Sequence, residues 1–291
     1  MKYKSYSHIG KKKVNEDYLK ASENTFIVCD GVGGEVRGEI ASKEIANYIS
    51  AAIETLGSAI SKDTILSAIN QSQENLNNII QKDESLAGMA TTLAAVFVAE
   101  TGFIVAHIGD SRIYVVRPSE HKFWQTWDHS LVGNLVKNGD ISREAGRNHP
   151  MNNQITKAIK ANFKDKITTP EINFITDIRK GDIVFICSDG VSESFSDAEI
   201  VELLANTEIN LKSKIQIIEE RCAEDSFDNN TAIICKVEKK DIPNATIIPL
   251  DWISIDSLKE DEDLDNVILD DTAMDEEPQP QKRKWFQFFN K

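Results

Sequence analysis

Two stretches of this chain repeat one pattern: FIVCDGVGG at residues 26–34 and FICSDGVSE at residues 185–193. Each runs an almost wholly apolar strand into an Asp-Gly step and then toward a helix. A single Asp-Gly pair is ordinary turn chemistry. The pairing changes its meaning, because strands this apolar belong in the middle of a core. A carboxylate at the end of such a strand needs a hydrogen-bond partner or a cation to compensate its lost hydration. Asp30 and Asp189 are therefore candidates for a shared, compensated site.

The rest of the chain supplies a frame for these two corners. Further β-type runs stand at residues 91–99, 102–108, 112–116 and 231–237, rich in Val, Ile and Phe and bounded by Gly, Asp or Asn. Residues 100–102 and 109–111 suit tight connections within a meander. Apolar residues at helical spacing predict helices over 39–55 and 63–81, and a second pair over 197–205 and 211–223. Strands, a helix pair, antiparallel strands and another helix pair predict an α+β fold with helices covering sheets, not a βαβ fold.

Composition narrows the function. With 41% hydrophobic residues in 291, the chain can build one good-sized core, or at most two. Its formal charge of −14 excludes broad nucleic-acid binding, which needs a basic footprint. The start, MKYKSYSHIGKKKVNED, has no apolar leader, and no stretch is long and apolar enough for a membrane span. A soluble, cytoplasmic, monomeric protein is the expectation. Cys29, Cys187, Cys222 and Cys235 form no C-x-x-C pair, and reduced core thiols are expected.

Residues 1–237 read as one domain, and residues 238–291 as an acidic, disordered tail. Residues 251–277 hold twelve acidic residues against one lysine, Lys259, too charged to bury a core. The chain ends KRKWFQFFNK at residues 282–291, a basic-aromatic segment suited to docking on a partner or an anionic membrane surface.

More carboxylates stand where strands end: Glu16 and Asp17 in VNEDYL, Asp110 in HIGDSRIY, and Asp228 just before the last strand. Carboxylates converging on one edge of a sandwich repel unless divalent cations stand between them. The candidate ligands are all oxygens, which favours Mg²⁺ or Mn²⁺ over zinc. Gly31, without a side chain, lets its backbone carbonyl face an ion. Two such ions share a water, lower its pKa and hold the hydroxide for in-line attack on phosphorus. No G-x-S-x-G or P-loop offers another route.

In order, NED (15–17), DGVGG…GEIAS (30–42), GMATT (88–92), GDSRIY (109–114), DHSLV (128–132), CSDGVSE (187–193) and DNNTAII (228–234) resemble the type 2C metal-dependent serine/threonine protein phosphatases, in their compact bacterial form. The resemblance implies a four-layer αββα sandwich of two antiparallel sheets flanked by helix pairs. It implies that Asp30 bridges two Mn²⁺ or Mg²⁺ ions, with the Gly31 carbonyl on one and Asp189 and Asp228 on the other. Glu16 and Asp17 would hold metal-bound waters, and Asp110 a labile third ion shared with Asp189. The substrates would be phosphoserine and phosphothreonine proteins, opposing a cognate Ser/Thr kinase. Residues 130–156 correspond to a mobile flap beside the site.

The chain departs from the pattern in four places. Lys12 replaces an arginine that grips the substrate phosphate, keeping the charge but losing the bidentate fork. Val32 stands where eukaryotic members carry a histidine proposed as general acid, leaving a metal-bound water or another, unidentified group to protonate the leaving group. Asn152 replaces a frequent flap arginine, and Ala90 a glycine.

Several neighbours have plainer expected roles. Arg112 is expected to orient Asp110 by an ion pair, His129 to shape a turn beside Asp128, His107 to be a satisfied core residue, and Trp124 and Trp127 to pack. A haloacid-dehalogenase-type hydrolase would need an acid at position 32, where Val32 stands. Another metal-dependent phosphohydrolase, or a catalytically dead scaffold in a kinase pathway, are the remaining alternatives; a dead scaffold would have lost ligands, yet Asp30, Asp189 and Asp228 are present.

Overall fold

The computed structural model describes residues 1–32, 37–57, 59–161, 167–239 and 251–258. Strands β1 (Lys2–His8), β2 (Tyr18–Ala21), β3 (Thr25–Cys29) and β4 (Gly31–Val32) precede helices α1 (Gly38–Glu54) and α2 (Lys62–Lys82). A meander follows: β5 (Ala90–Thr91), β6 (Leu93–Ala99), β7 (Gly102–Ile108), β8 (Arg112–Arg117) and β9 (Lys122–Gln125). Short helices α3 (Leu131–Asn138) and α4 (Arg143–Arg147) lead to β10 (Ile159–Lys160), β11 (Glu171–Ile175) and β12 (Ile183–Cys187). Helices α5 (Asp189–Ser194), α6 (Asp197–Ala205) and α7 (Leu211–Asp225), then β13 (Asn230–Lys236) and β14 (Ile253–Ser254), complete the described elements.

Two sheets stack face to face, with strand orders β1-β13-β12-β8-β9-β14 and β11-β7-β6-β3-β2. A small third sheet, β10-β5-β4, stands beside them, and all the strand pairings are antiparallel. Alternation along β3 shows why its sequence is apolar throughout. Phe26 and Val28 join Val96, Val184 and Ile233 between the sheets, while Ile27 and Cys29 turn outward to Ile45, Ile49 and Ile69 of α1 and α2. On the far side, Tyr114 and Phe185 pack against Ile200, Leu204 and Ile218 of α6 and α7. The layers are helix pair, sheet, sheet, helix pair, the expected αββα sandwich.

Local chemistry sets the helix starts. Ser61 and Thr64 cap α2 reciprocally, as Ser196 and Glu199 cap α6, and Asn210 accepts from the Ser213 amide at α7. The expected helices agree with the observed ones to within about two residues, as end effects allow. Among the strands that periodicity did not announce are β1, β2 and β11. β1 is an edge strand whose side chains are mostly exposed, so polar residues serve it as well as apolar ones.

Two expectations need correction. The step after Asp30 does not open a helix directly: Gly31 and Val32 form β4, paired to β5, before α1 begins at Gly38. Folded structure also does not end at residue 237. Residues 251–258 return to the body, where β14 pairs with β9 and Ile255 and Leu258 are buried with the α6–α7 core. Trp252 stacks its ring 4.7 Å from the guanidinium of Arg117. That arginine is fully buried and held by Asp182 and Asp177, so the ring covers a charge already compensated. Three apolar anchors within seven residues outweigh the acidic composition that suggested a boundary there. The segment 282–291 lies outside the described residues. Among the described residues, no helix is long and apolar enough to cross a membrane.

Candidate active site

Every carboxylate singled out from the sequence reaches one end of the sandwich. Asp30 follows β3, and its main chain is fixed by the GMATT segment. The Asp30 amide donates to Thr92 Oγ1 at 3.0 Å, and the Asp30 carbonyl accepts from the Thr92 amide at 2.8 Å and the Thr91 hydroxyl at 2.9 Å. Asp189 follows β12 as the first residue of α5, where a helix N-terminus favours negative charge. Asp110 sits on the turn between β7 and β8, and Asp228 just before β13.

Glu16 and Asp17 enter from the β1–β2 connection. Ser188 donates to Asp17 Oδ2 at 2.7 Å, tying Asp17 to the second Asp-Gly corner. Glu16 reaches the first: its carbonyl accepts from the Gly31 amide at 3.1 Å and the Ser42 hydroxyl at 2.6 Å. Its carboxylate receives the Gly38 amide at the start of α1. That helix has no side-chain cap from its own N-cap residue, Arg37, so Glu16 takes the capping role from across the site. Gly31 is required by space as well as by any carbonyl contact, since a Cβ there would lie 2.4 Å from the Gly38 backbone.

The electrostatics show how much this cluster lacks a counter-charge. Burial pushes Asp17 up to about 7 and Asp189 to about 6, with the neighbouring carboxylates adding to the effect. Burial, then Asp17 and Asp189, hold Asp30 well above the usual carboxylate range. Burial and Asp189 do the same to Asp110, and burial raises Glu16. Asp17 Oδ1 and Asp189 Oδ1 are buried without a hydrogen-bond partner. Hard oxygen donors, buried, mutually repelling and partly orphaned, fit divalent cations of the Mg²⁺ or Mn²⁺ kind. Lys12 is at the rim, its Nζ 2.9 Å from Asp228 Oδ2, and that hydrogen bond raises its pKa.

Some neighbours depart from their expected roles. Arg112 makes a two-pronged bond to Asp128, at 2.8 and 2.6 Å, and another to Asp197 at 3.2 Å, not to Asp110. His129 does more than shape a turn. Its Nδ1 accepts from the Gly109 amide at 3.0 Å while its own amide donates to the Gly109 carbonyl at 2.8 Å, so it clamps the residue before Asp110. The Nε2 proton this leaves faces Glu171 Oε2 at 3.6 Å. His107 is buried, stacked on His129 at 4.7 Å, with no hydrogen bond at either nitrogen. It is therefore not the satisfied core residue expected, and burial lowers its pKa to about 3.

Asn229 is the site residue that sequence reasoning passed over. Its Nδ2 donates to the carbonyls of Ile9 and Val14 at 2.8 and 3.0 Å, and its Oδ1 accepts from the Glu16 amide at 2.8 Å. One amide side chain thus locks the lysine-bearing 9–16 connection onto the Asp228 loop. Its only signal was a polar side chain beside a candidate ligand at the mouth of a buried strand. From Asp110 and Asp189 a cleft of about 310 Å³ runs beneath α3 and α4, past Arg147, to Leu258.

The protein phosphatase 2C family model matches residues 5–221, three quarters of the chain and all the ligand candidates but Asp228. The chain belongs to that family. Its members are protein phosphatases, and the chain is one: a metal-dependent serine/threonine protein phosphatase. It is 31% identical over 199 residues to the serine/threonine phosphatase stp of Listeria innocua serovar 6a, covering 65% of this chain and 77% of that one. It is 31% identical over 251 residues to the protein phosphatase PhpP of Streptococcus pneumoniae, covering 80% and 96%. The Mycobacterium tuberculosis phosphatase PstP/Ppp superposes with a TM-score of 0.72 at 27% identity over 82% of this chain and 99% of that one. The catalytic domain of PstP in complex with two manganese ions does so with a TM-score of 0.71 at 26% identity over 82% and 98%.

Proposed function

We propose that Asp30, the Gly31 carbonyl, Asp189 and Asp228 hold two Mn²⁺ or Mg²⁺ ions, with Glu16 and Asp17 holding their waters and Asp110 a weaker third ion. The observation carrying this assignment is the buried carboxylate cluster with orphaned oxygens on Asp17 and Asp189. Bound there, divalent cations neutralise the phosphoryl oxygens and acidify the attacking water. The chain's own residues fix that arrangement. Thr91 and Thr92 hold the Asp30 main chain, Ser188 orients Asp17, and Asn229 sets Asp228 against Glu16. Lys12, half-exposed beside Asp228, offers its ammonium to the substrate phosphate as a point charge.

The substrates are phosphoserine and phosphothreonine proteins made by a partner kinase, met by a monomer in the cytoplasm. Segment 282–291 supplies an additional docking contact outside the catalytic body. The direct test is Mn²⁺-dependent hydrolysis of phosphothreonine peptides by the purified protein, abolished by EDTA and restored by Mn²⁺. Asp110→Asn should keep two tight ions by calorimetry while losing most turnover. Lys12→Ala should raise KM for phosphopeptides, with Lys12→Arg equal to or better than the wild type. Identical kinetics for all three residues at position 12 would remove Lys12 from the site.

A further inference from the structure

Seven large apolar side chains are exposed among the described residues, and three of them, Ile9, Val14 and Phe227, belong to the two loops that flank Asp228. Their backbones meet at Asn229, whose side-chain amide binds the Ile9 and Val14 carbonyls and which lies two residues beyond Phe227. Phe227 is the most exposed of the seven at 69%, although it directly precedes Asp228. Surface apolar groups scattered singly need no explanation, but a group of three beside a reaction centre does.

The ring is displayed on a fixed mount. Glu193 Oε2 accepts from the Ser226 hydroxyl at 2.8 Å, the Phe227 amide at 3.0 Å and the Asp228 amide at 3.3 Å. On the facing loop, Gly10 adopts φ +61°, and a Cβ there would lie 2.0 Å from the Asp228 carbonyl, so the two loops touch main chain to main chain. Lys11 places its ammonium 4.0 Å from the centroid of the Phe227 ring. That cation covers one face and leaves the remainder to whatever approaches Asp228.

We propose that Phe227, displayed beside Asp228 with Lys11 on one face, is a substrate subsite that takes an apolar side chain adjoining the phosphoresidue of a phosphoprotein. The proposal rests on the phosphatase assignment of the Asp228 site and deepens it by naming the substrate class. A phosphoresidue held at Asp228 and Lys12 brings the rest of its peptide across the rim on which the Phe227 ring is exposed. The lysines at 11 to 13 make the same rim cationic on an otherwise acidic chain, which suits a peptide already carrying a phosphate. Because the ring is mostly exposed and buries little against its own fold, truncating it spares the core.

The test compares two phosphothreonine heptapeptides, flanked on both sides by Leu or by Gly, with p-nitrophenyl phosphate as a substrate that has no flanking residues. For the wild type, kcat/KM should favour the Leu-flanked peptide by about 5- to 10-fold, carried by KM. Phe227→Ala should bring that ratio to about one and leave p-nitrophenyl phosphate hydrolysis unchanged, while Phe227→Leu should keep most of the preference. A ratio that survives Phe227→Ala, or a wild type without preference, overturns the subsite. An equal loss on all three substrates in Phe227→Ala also overturns it, showing that the residue acts through Asp228. Failure of the wild type with Mn²⁺ to hydrolyse any of the three would instead bring down the phosphatase assignment beneath it.

Discussion

The two Asp-Gly corners share a sequence pattern and diverge immediately after the dipeptide. Beyond β3 the chain adds the short strand β4 before α1, whereas beyond β12 it turns at once into α5, with Asp189 as that helix's first residue. Burial raises Asp189 to about 6, with a hydrogen bond from Asp30 working against the rise, whereas burial, then Asp17 and Asp189, hold Asp30 well above the carboxylate range. The glycines also serve differently from turn residues: neither Gly31 nor Gly190 has positive φ. Each stands where another main chain passes too close for a Cβ, Gly38 at 2.4 Å in one case and the Asn229 carbonyl at 2.1 Å in the other. The repeated dipeptide is a close-approach device that brings a second backbone against an acid-bearing strand end.

The largest expected effect tests whether the corners are chemically equivalent. Asp30→Asn and Asp189→Asn should each lower turnover by about a thousandfold or more, because each removes a proposed ligand of the cation site. In EDTA the same variants should separate. Replacing a buried, crowded carboxylate by a neutral amide should raise Tm, and Asp30→Asn should raise it more. Equal Tm shifts would show that the two carboxyls carry the same burden of burial and repulsion.

Next in size is the glycine comparison. Gly31→Ala and Gly190→Ala should each destabilise the fold by about 1–3 kcal/mol, the range for overpacking a close contact. Gly190→Ala pushes on Asn229, and so on both Asp228 and the loop of Lys12; it should cost turnover beyond its loss of stability. Chemical denaturation alongside kinetics at saturating Mn²⁺ separates the two effects. Wild-type stability in either variant would mean that the corner opens without cost and that the glycine was only a turn residue.

How much of the molecule was legible in the sequence depends on where burial constrains residue choice. The central strands, the four long helices and the acids at strand ends were readable because burial on both faces of β3 and β12 leaves no room for polar residues. Strands β1, β2 and β11 were not, because edge position and partial exposure relax that demand. The return of residues 251–258 was hidden by charge averaged over a long window, in which Trp252, Ile255 and Leu258 are few but sufficient. Arg112 stands close to Asp110 in sequence, whereas opposite-charge pairing across the fold gives it to Asp128 and Asp197. Asn229 and His129 act through hydrogen bonds to main chain from remote segments, and such bonds leave no periodic trace.

The smallest expected effect is a pH dependence that the two corners should share unequally. A carboxyl whose folded pKa lies above its unfolded value contributes stability that is complete below the unfolded value, near 3.8, and is lost as pH rises through the folded one. For Asp189 that loss falls around pH 6, and for Asp17, bound to the same corner through Ser188, around pH 7. His107 works in the opposite sense: its folded pKa of about 3 makes stability fall as pH drops through the unfolded histidine value of about 6.5. Because His107 is common to all variants, differences between them isolate the carboxyls. Between pH 5 and 7 in EDTA, Asp189→Asn and Asp17→Asn should each remove part of the decline in Tm shown by the wild type, Asp189→Asn acting lower in the window. Mn²⁺ should stabilise the wild type more at pH 7 than at pH 5, since protons and cations compete for the same oxygens. A wild type and both variants with parallel Tm profiles in EDTA would mean that these carboxyls ionise freely, and the burial that sets the two corners apart would then have no energetic consequence.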